Sequence, residues 1–150
     1  MPEPWVTQEQ VDAMLPAWKE ILLLQDWRIE LQVCKKLGDS WANCRADHKY
    51  KEALIKFSQR PPKPQYRTIP YDQEETLVHE LLHIHHTPID LLVPEGSPED
   101  LALETMINQL AKSLVKLKRE SDQWQRLAKK EEDLPRLTSL ESLSIEATSN

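Results

Sequence analysis

The 150-residue chain predicts an α+β domain: a small three-stranded, mostly antiparallel sheet packed on one helix, with an N-terminal helix and a long C-terminal helix. Three observations predict it. Residues 7–24 carry an apolar stripe of helical period, residues 26–58 carry three runs of period two, and two well-capped helical patterns follow residue 72. Hydrophobic residues make up 39% and charged ones 29%, a balance that lets one globular core form. One domain over 1–134 is expected, with 135–150 a loosely docked or disordered tail.

The N-terminal helix starts at Thr7, an N-cap whose capping box is completed by Gln10. Val11, Leu15, Trp18 and Leu22, helped by Met14 and Ile21, form its apolar face to about Leu24. Pro16 lies inside it and is expected to kink it. From Asp26 the period falls to two. Trp27, Ile29, Leu31 and Val33 alternate with Arg28, Glu30 and Gln32, and Gly38-Asp39-Ser40 supplies a turn. Trp41–Ala46 and Lys51–Ser58 read as the second and third strands. The short connections predict an antiparallel meander.

Arg60-Pro61-Pro62-Lys63-Pro64 is a stiff surface loop that spaces the sheet from the next helix. Asp72 caps that helix, with Glu75 in the capping-box position and Glu74 adding negative charge near its N-terminus. Pro88 predicts its end by about His86. Leu91, Leu92 and Val93 in the connector to Gly96 are apolar enough to be expected to pack down. Ser97-Pro98-Glu99-Asp100 is a helix start, with an N-cap, proline at the first helical position and acids in the first turn. The helix runs to about Lys129 or Lys130, with a stripe of Leu103, Ile107, Leu110, Leu114, Leu117 and Trp124. After Pro135 the text turns to Ser, Thr and Glu, with Leu137, Leu140 and Leu143 recurring.

Composition narrows the function classes. A net charge of -6 argues against nucleic acid as the main partner. No run of about 18 apolar residues and no basic-then-apolar start is present, which predicts no membrane span, no secretion signal and a cytoplasmic location. Cys34 and Cys44, which could face each other across a hairpin near Gly38, are read as two buried thiols. Eleven prolines against two glycines hint at heat stability.

The chemistry concentrates in Val78-His79-Glu80-Leu81-Leu82-His83, an H-E-x-x-H inside an apolar helical pattern. Residues four apart project from one helix face about 6 Å from each other, so two imidazoles can reach one metal ion. Glu80 is placed to lean over the open side of that ion as general base. Buried without a partner, this Glu and its two His would cost several kcal/mol (~2–7 per polar group), and a metal offsets that.

A catalytic zinc needs a third protein ligand. His86 lies seven residues after His79, about 10.5 Å along a straight helix, too far to converge with both motif histidines. Glu104 is the better choice, on the inward flank of the following helix, with Asn108 one turn on as a hydrogen-bonding support. Glu95 and Glu99 are the alternatives.

His79-Glu80-x-x-His83 with Leu103-Glu104-x-x-Ile107-Asn108-x-x-Ala111 on a following helix resembles the gluzincin zinc metallopeptidases. It is most similar to the minimal, zincin-like peptidases of phages, bacteria and archaea that share the core of the ImmA/IrrE-type enzymes. The resemblance spans about residues 26–118. It implies one catalytic Zn2+, peptide hydrolysis, and an extended peptide or protein substrate lying along the edge strand of the sheet. A Tyr or His that steadies the oxyanion is also implied, leaving His85, His86, Tyr66 and Tyr71 as candidates. The third strand is nearest in sequence to the motif. If it is the edge strand, Ala53, Leu54 and Ile55 bind substrate by strand addition. The expectation is a monomeric zinc metalloendopeptidase without membrane or nucleic-acid partners, working in a host cytoplasm if phage-encoded. The alternatives are a non-catalytic or tail-covered, latent zinc-binding interaction module, and a regulatory, repressor-cleaving peptidase.

Overall fold

The computed structural model describes residues 5–60 and 71–132. Among the described residues three helices and three strands follow in the order α1 (Gln8–Ile21), β1 (Arg28–Cys34), β2 (Ala42–Asp47), β3 (Glu52–Ser58), α2 (Gln73–Asp90) and α3 (Pro98–Glu132). The class is α+β, as expected. The chain forms two compact units, 1–116 and 117–150. The expected boundary at 134/135 and Tyr66 lie outside the described residues. No described helix is long and apolar enough to cross a membrane.

The capping of α1 is the one expected: Thr7 Oγ1 accepts from Gln10 N at 3.3 Å and Gln10 Oε1 accepts from Thr7 N at 3.1 Å. Pro16 sits inside the helix. Beyond α1, Leu23 takes a positive φ of 55°, and Lys19 Nζ donates to Trp27 O at 2.7 Å, joining the end of α1 to the approach to β1.

The sheet is mixed, with the order β1-β3-β2. β1 runs parallel to β3, from Arg28 opposite Glu52 to Cys34 opposite Ser58. β2 runs antiparallel to β3, from Ala42 opposite Phe57 to Asp47 opposite Glu52. The expected meander is therefore corrected. Gly38-Asp39-Ser40 does not close a hairpin between neighbours; that segment carries the chain from one edge of the sheet to the other. The hairpin lies between β2 and β3, where Asp47 Oδ1 accepts from Lys49 N (2.9 Å) and Tyr50 N (3.2 Å) and Lys51 adopts φ 52°. An aspartate that turns the chain through its own side chain explains this turn without glycine.

Burial explains why β3 takes the centre. Ala53, Ile55 and Phe57 are all buried, Ile55 and Phe57 completely, whereas β2 presents exposed Asn43, Arg45 and Asp47. The most apolar strand gains most from neighbours on both sides, and charged strands blunt the edges. A further correction follows. Ala53, Leu54 and Ile55 are paired on both sides, so they are not the edge that a peptide could join. Cys34 and Cys44 are free thiols, as expected, though half-buried rather than buried, and they stand on opposite edges with β3 between them.

The core is one cluster. Val11 and Trp18 of α1, Leu31 of β1, Ile55 and Phe57 of β3, Leu77, Val78, Leu81 and Ile84 of α2, and Ile107, Ala111 and Val115 of α3 meet in it. Fully burying such aliphatic and aromatic side chains is worth ~1.5–3 kcal/mol each. The buried face of α3 differs from the expected stripe. Ile107, Ala111 and Val115 face the core, while Leu110, Leu117 and Trp124 are exposed. Leu91 and Leu92 are also exposed, at 82% each, so the connector does not pack down as expected.

Candidate metal centre

The helix that carries the motif is positioned at both ends. Asp72 Oδ1 accepts from Glu74 N (3.0 Å) and Glu75 N (3.1 Å), satisfying two of the free amides at the start of α2. Glu74 in turn accepts from Trp18 Nε1 at 2.9 Å, which pins this turn to α1. Leu77, Val78, Leu81 and Ile84 are fully buried and hold the helix on the core. His79 and His83 are left on the face toward α3.

The expected end at His86 is corrected: α2 continues through Pro88 to Asp90. Proline removes one amide and crowds the carbonyl four residues back. The cost is small here because this is the last turn, where Thr87 Oγ1 donates to His83 O at 2.7 Å and Leu91 N to Thr87 O at 3.1 Å. The extra turn brings Asp90 into reach of the site.

α3 approaches from the other side. Ser97 caps it, its Oγ accepting from Asp100 N at 3.1 Å, and Ile107 and Ala111 seat it on the core. Glu104 then faces the two histidines. His79 Nε2 and His83 Nε2 are 3.0 Å apart. Glu104 Oε2 is 3.5 Å from the first and Glu104 Oε1 3.2 Å from the second. The set His79, His83 and Glu104 forms a group able to hold a metal ion. An ion bound tetrahedrally at about 2.0–2.2 Å keeps its ligand atoms about 3.3 Å apart, and each histidine nitrogen has one Glu104 oxygen near that distance, Oε2 for His79 and Oε1 for His83. The donors, two imidazole nitrogens and a carboxylate, suit a borderline divalent cation.

Both imidazoles are steadied from behind. His79 has a side-chain hydrogen bond with Asn108, the support expected from its place one turn beyond Glu104. Burial, and next the His83 ring, push the His79 pKa down to about 4, so the ring is neutral at neutral pH and has one nitrogen lone pair to offer. His83 Nδ1 lies 3.4 Å from Asp90 Oδ2. Asp90 was not foreseen from sequence, because ending the helix at His86 leaves it in a connector.

Glu80 is only 6% exposed. Burial, and next the charge of Glu104, lift its pKa to about 8. It opens with His79 into a cleft of about 490 Å³, walled by Trp41, Ala42 and Tyr71 on one side and by Asn108, Ala111 and Lys112 of α3 on the other. Trp41 and Tyr71 stack at 4.6 Å between ring centroids, backed by Trp5. The Tyr71 hydroxyl is buried without a hydrogen-bond partner. Thr76 is near enough to act on it, but the Thr76 hydroxyl donates to Asp72 O. Burial raises the Tyr71 pKa to about 12, so it stays a neutral donor.

The other two oxyanion candidates among the described residues are engaged elsewhere. His85 Nε2 contacts Leu22 O at 2.9 Å and His86 Nδ1 contacts Leu82 O at 2.8 Å, and neither lines the cleft. Glu95 and Glu99 are not part of the metal-binding group. Cys44 on β2 faces this region. Burial first, then the charges of Glu80 and Asp90, raise its thiol to about 12, which keeps it protonated and unreactive.

The open edge of the sheet is β2. The β1 edge is occupied by Gln8, whose Nε2 donates to Leu31 O at 2.8 Å and whose Oε1 accepts from Val33 N at 3.0 Å. β2 begins in the cleft wall at Ala42, on the side where α2 packs. This signal was present in the polar text of β2, but only the strand order reveals it. No protein-family model, curated protein or solved structure matches the chain.

Proposed function

We propose that this chain is a zinc-dependent endopeptidase of the gluzincin type, zincin-like in fold, with His79, His83 and Glu104 as the ligands of a single Zn2+. The observation that carries the reading is the His79, His83 and Glu104 donor group, whose ligand atoms lie within 4.8 Å of one another, beside a buried carboxyl one residue from a ligand. When bound, zinc supplies a Lewis acid and a water of lowered pKa. Glu80 takes the proton from the attacking water and returns it to the departing amine. In the metal-free chain burial lifts this carboxyl to about 8, and a cation bound beside it would draw it back toward the ionised form that a general base needs. Tyr71, the one oxyanion candidate among the described residues that lines the cleft, donates its hydroxyl to the developing negative charge.

The substrate is an extended peptide added to β2, whose outer edge has no strand beside it among the described residues. Main-chain pairing gives affinity, and the cleft beside Trp41 takes one side chain. The reading is tested by metal analysis of the purified chain beside His83→Ala. One zinc per chain, lost in the variant together with casein cleavage, is expected. A variant that keeps both sinks the ligand assignment.

A further inference from the structure

We infer that Asp90 is a positioning residue of this centre: its carboxylate holds the proton of His83 on Nδ1 and so presents the Nε2 lone pair to the metal. The inference rests on the reading of His79, His83 and Glu104 as a metal centre, and it concerns what keeps that centre ready when the metal is absent.

Two imidazole nitrogens 3.0 Å apart are at hydrogen-bonding distance from each other. If His83 carried its proton on Nε2, it would donate to His79 Nε2 at 3.0 Å or to Glu104 Oε1 at 3.2 Å, and the site would close on itself as a satisfied group. That state competes with metal binding, because a lone pair the ion needs would be covered by a proton. Which state forms depends on what the other nitrogen of the ring meets. Asp90 Oδ2 stands 3.4 Å from His83 Nδ1. A carboxylate accepts and never donates, so Asp90 draws the proton to Nδ1 against the pull of Glu104 on Nε2.

The setting of Asp90 argues that the residue is kept for this purpose. It is the last residue of α2, where the helix dipole favours a cation, and the last turn carries no basic residue. Its second oxygen, Oδ1, is buried without a hydrogen-bond partner. Both features disfavour a carboxylate there. Its reach to His83 is what the position provides in return, and that reach exists only because α2 runs through Pro88.

The test compares the full-length wild type, Asp90→Ala, Asp90→Asn and Asp90→Glu. The ring nitrogens of metal-free protein are read by long-range proton-nitrogen NMR. Zinc and cobalt(II) Kd values and the melting temperature of the metal-free chains are also measured. His83 is expected to carry its proton on Nδ1 in the wild type and to shift toward Nε2 in Asp90→Ala. Zinc Kd is expected to rise about 10–100-fold in Asp90→Ala, with Asp90→Glu recovering part of the loss. The metal-free melting temperature is expected to stay level or rise, which a purely structural role would not produce. Zinc affinity within about twofold of wild type in Asp90→Ala, or a fall in metal-free melting temperature that accounts for the loss, overturns the inference. A wild-type chain that binds neither metal overturns the metal-centre reading and this inference with it. A wild-type chain that binds zinc indifferently to Asp90 overturns only the inference.

Discussion

At the scale of single residues, the site is a set of groups whose protonation is decided by burial. His79 is pushed down to about 4 and Glu80 up to about 8, so in the metal-free chain both are neutral near pH 7. This has a consequence for stability. The pKa of Glu80 is higher folded than unfolded, so its contribution is full below the unfolded value of 4.5 and is lost as pH rises through 8. The pKa of His79 is lower folded than unfolded, so its contribution is full above 6.5 and is lost as pH falls toward 4. Between pH 6.5 and 8 only the first changes. Denaturation of the metal-free protein is therefore expected to show stability falling over that window, by ~1–2 kcal/mol. Glu80→Gln, which cannot ionise, is expected to flatten the slope. An unchanged slope in that variant shows that Glu80 is not the titrating group.

At the scale of elements, what could be read from the sequence depended on how local its cause was. The α1 capping box, the Asp72 cap and the Ser97-Pro98 start are set by side chains within three residues of the groups they satisfy, and all three were legible. The triad was legible for a related reason. Helical spacing brings His79 and His83 together, and the apolar positions of α3 orient Glu104. Strand order was not legible, because it depends on which strand gains most from two neighbours, a comparison among β1, β2 and β3 rather than a property of any one. The end of α2 was missed because proline was read as a stop, whereas in a last turn it removes little. That error hid Asp90. The same local logic gives a measurable expectation for the helix of the site. Asp72→Ala leaves two amides at the head of α2 without their acceptor, and is expected to cost ~1 kcal/mol, within a range of ~0.5–2. It is read as a lower midpoint of chemical denaturation with an unchanged slope. No change in midpoint shows that the cap does not support α2.

At the scale of the molecule, α2 joins the structural and chemical halves of the fold. One face is fully buried against the sheet and α1, and the other turns His79, Glu80 and His83 toward Glu104 of α3 and the cleft beside β2. The sheet contributes an open edge at β2 because Gln8 covers the other one. A fold can host many functions, and the proposed one depends on Glu80 moving the proton while His79, His83 and Glu104 hold the metal. The direct test is casein hydrolysis by the zinc-loaded wild type and by zinc-loaded Glu80→Gln, with metal content measured on the same samples. The account predicts equal zinc in both and a loss of activity of about 100-fold or more in the variant. Equal zinc with hydrolysis undiminished in Glu80→Gln would contradict it.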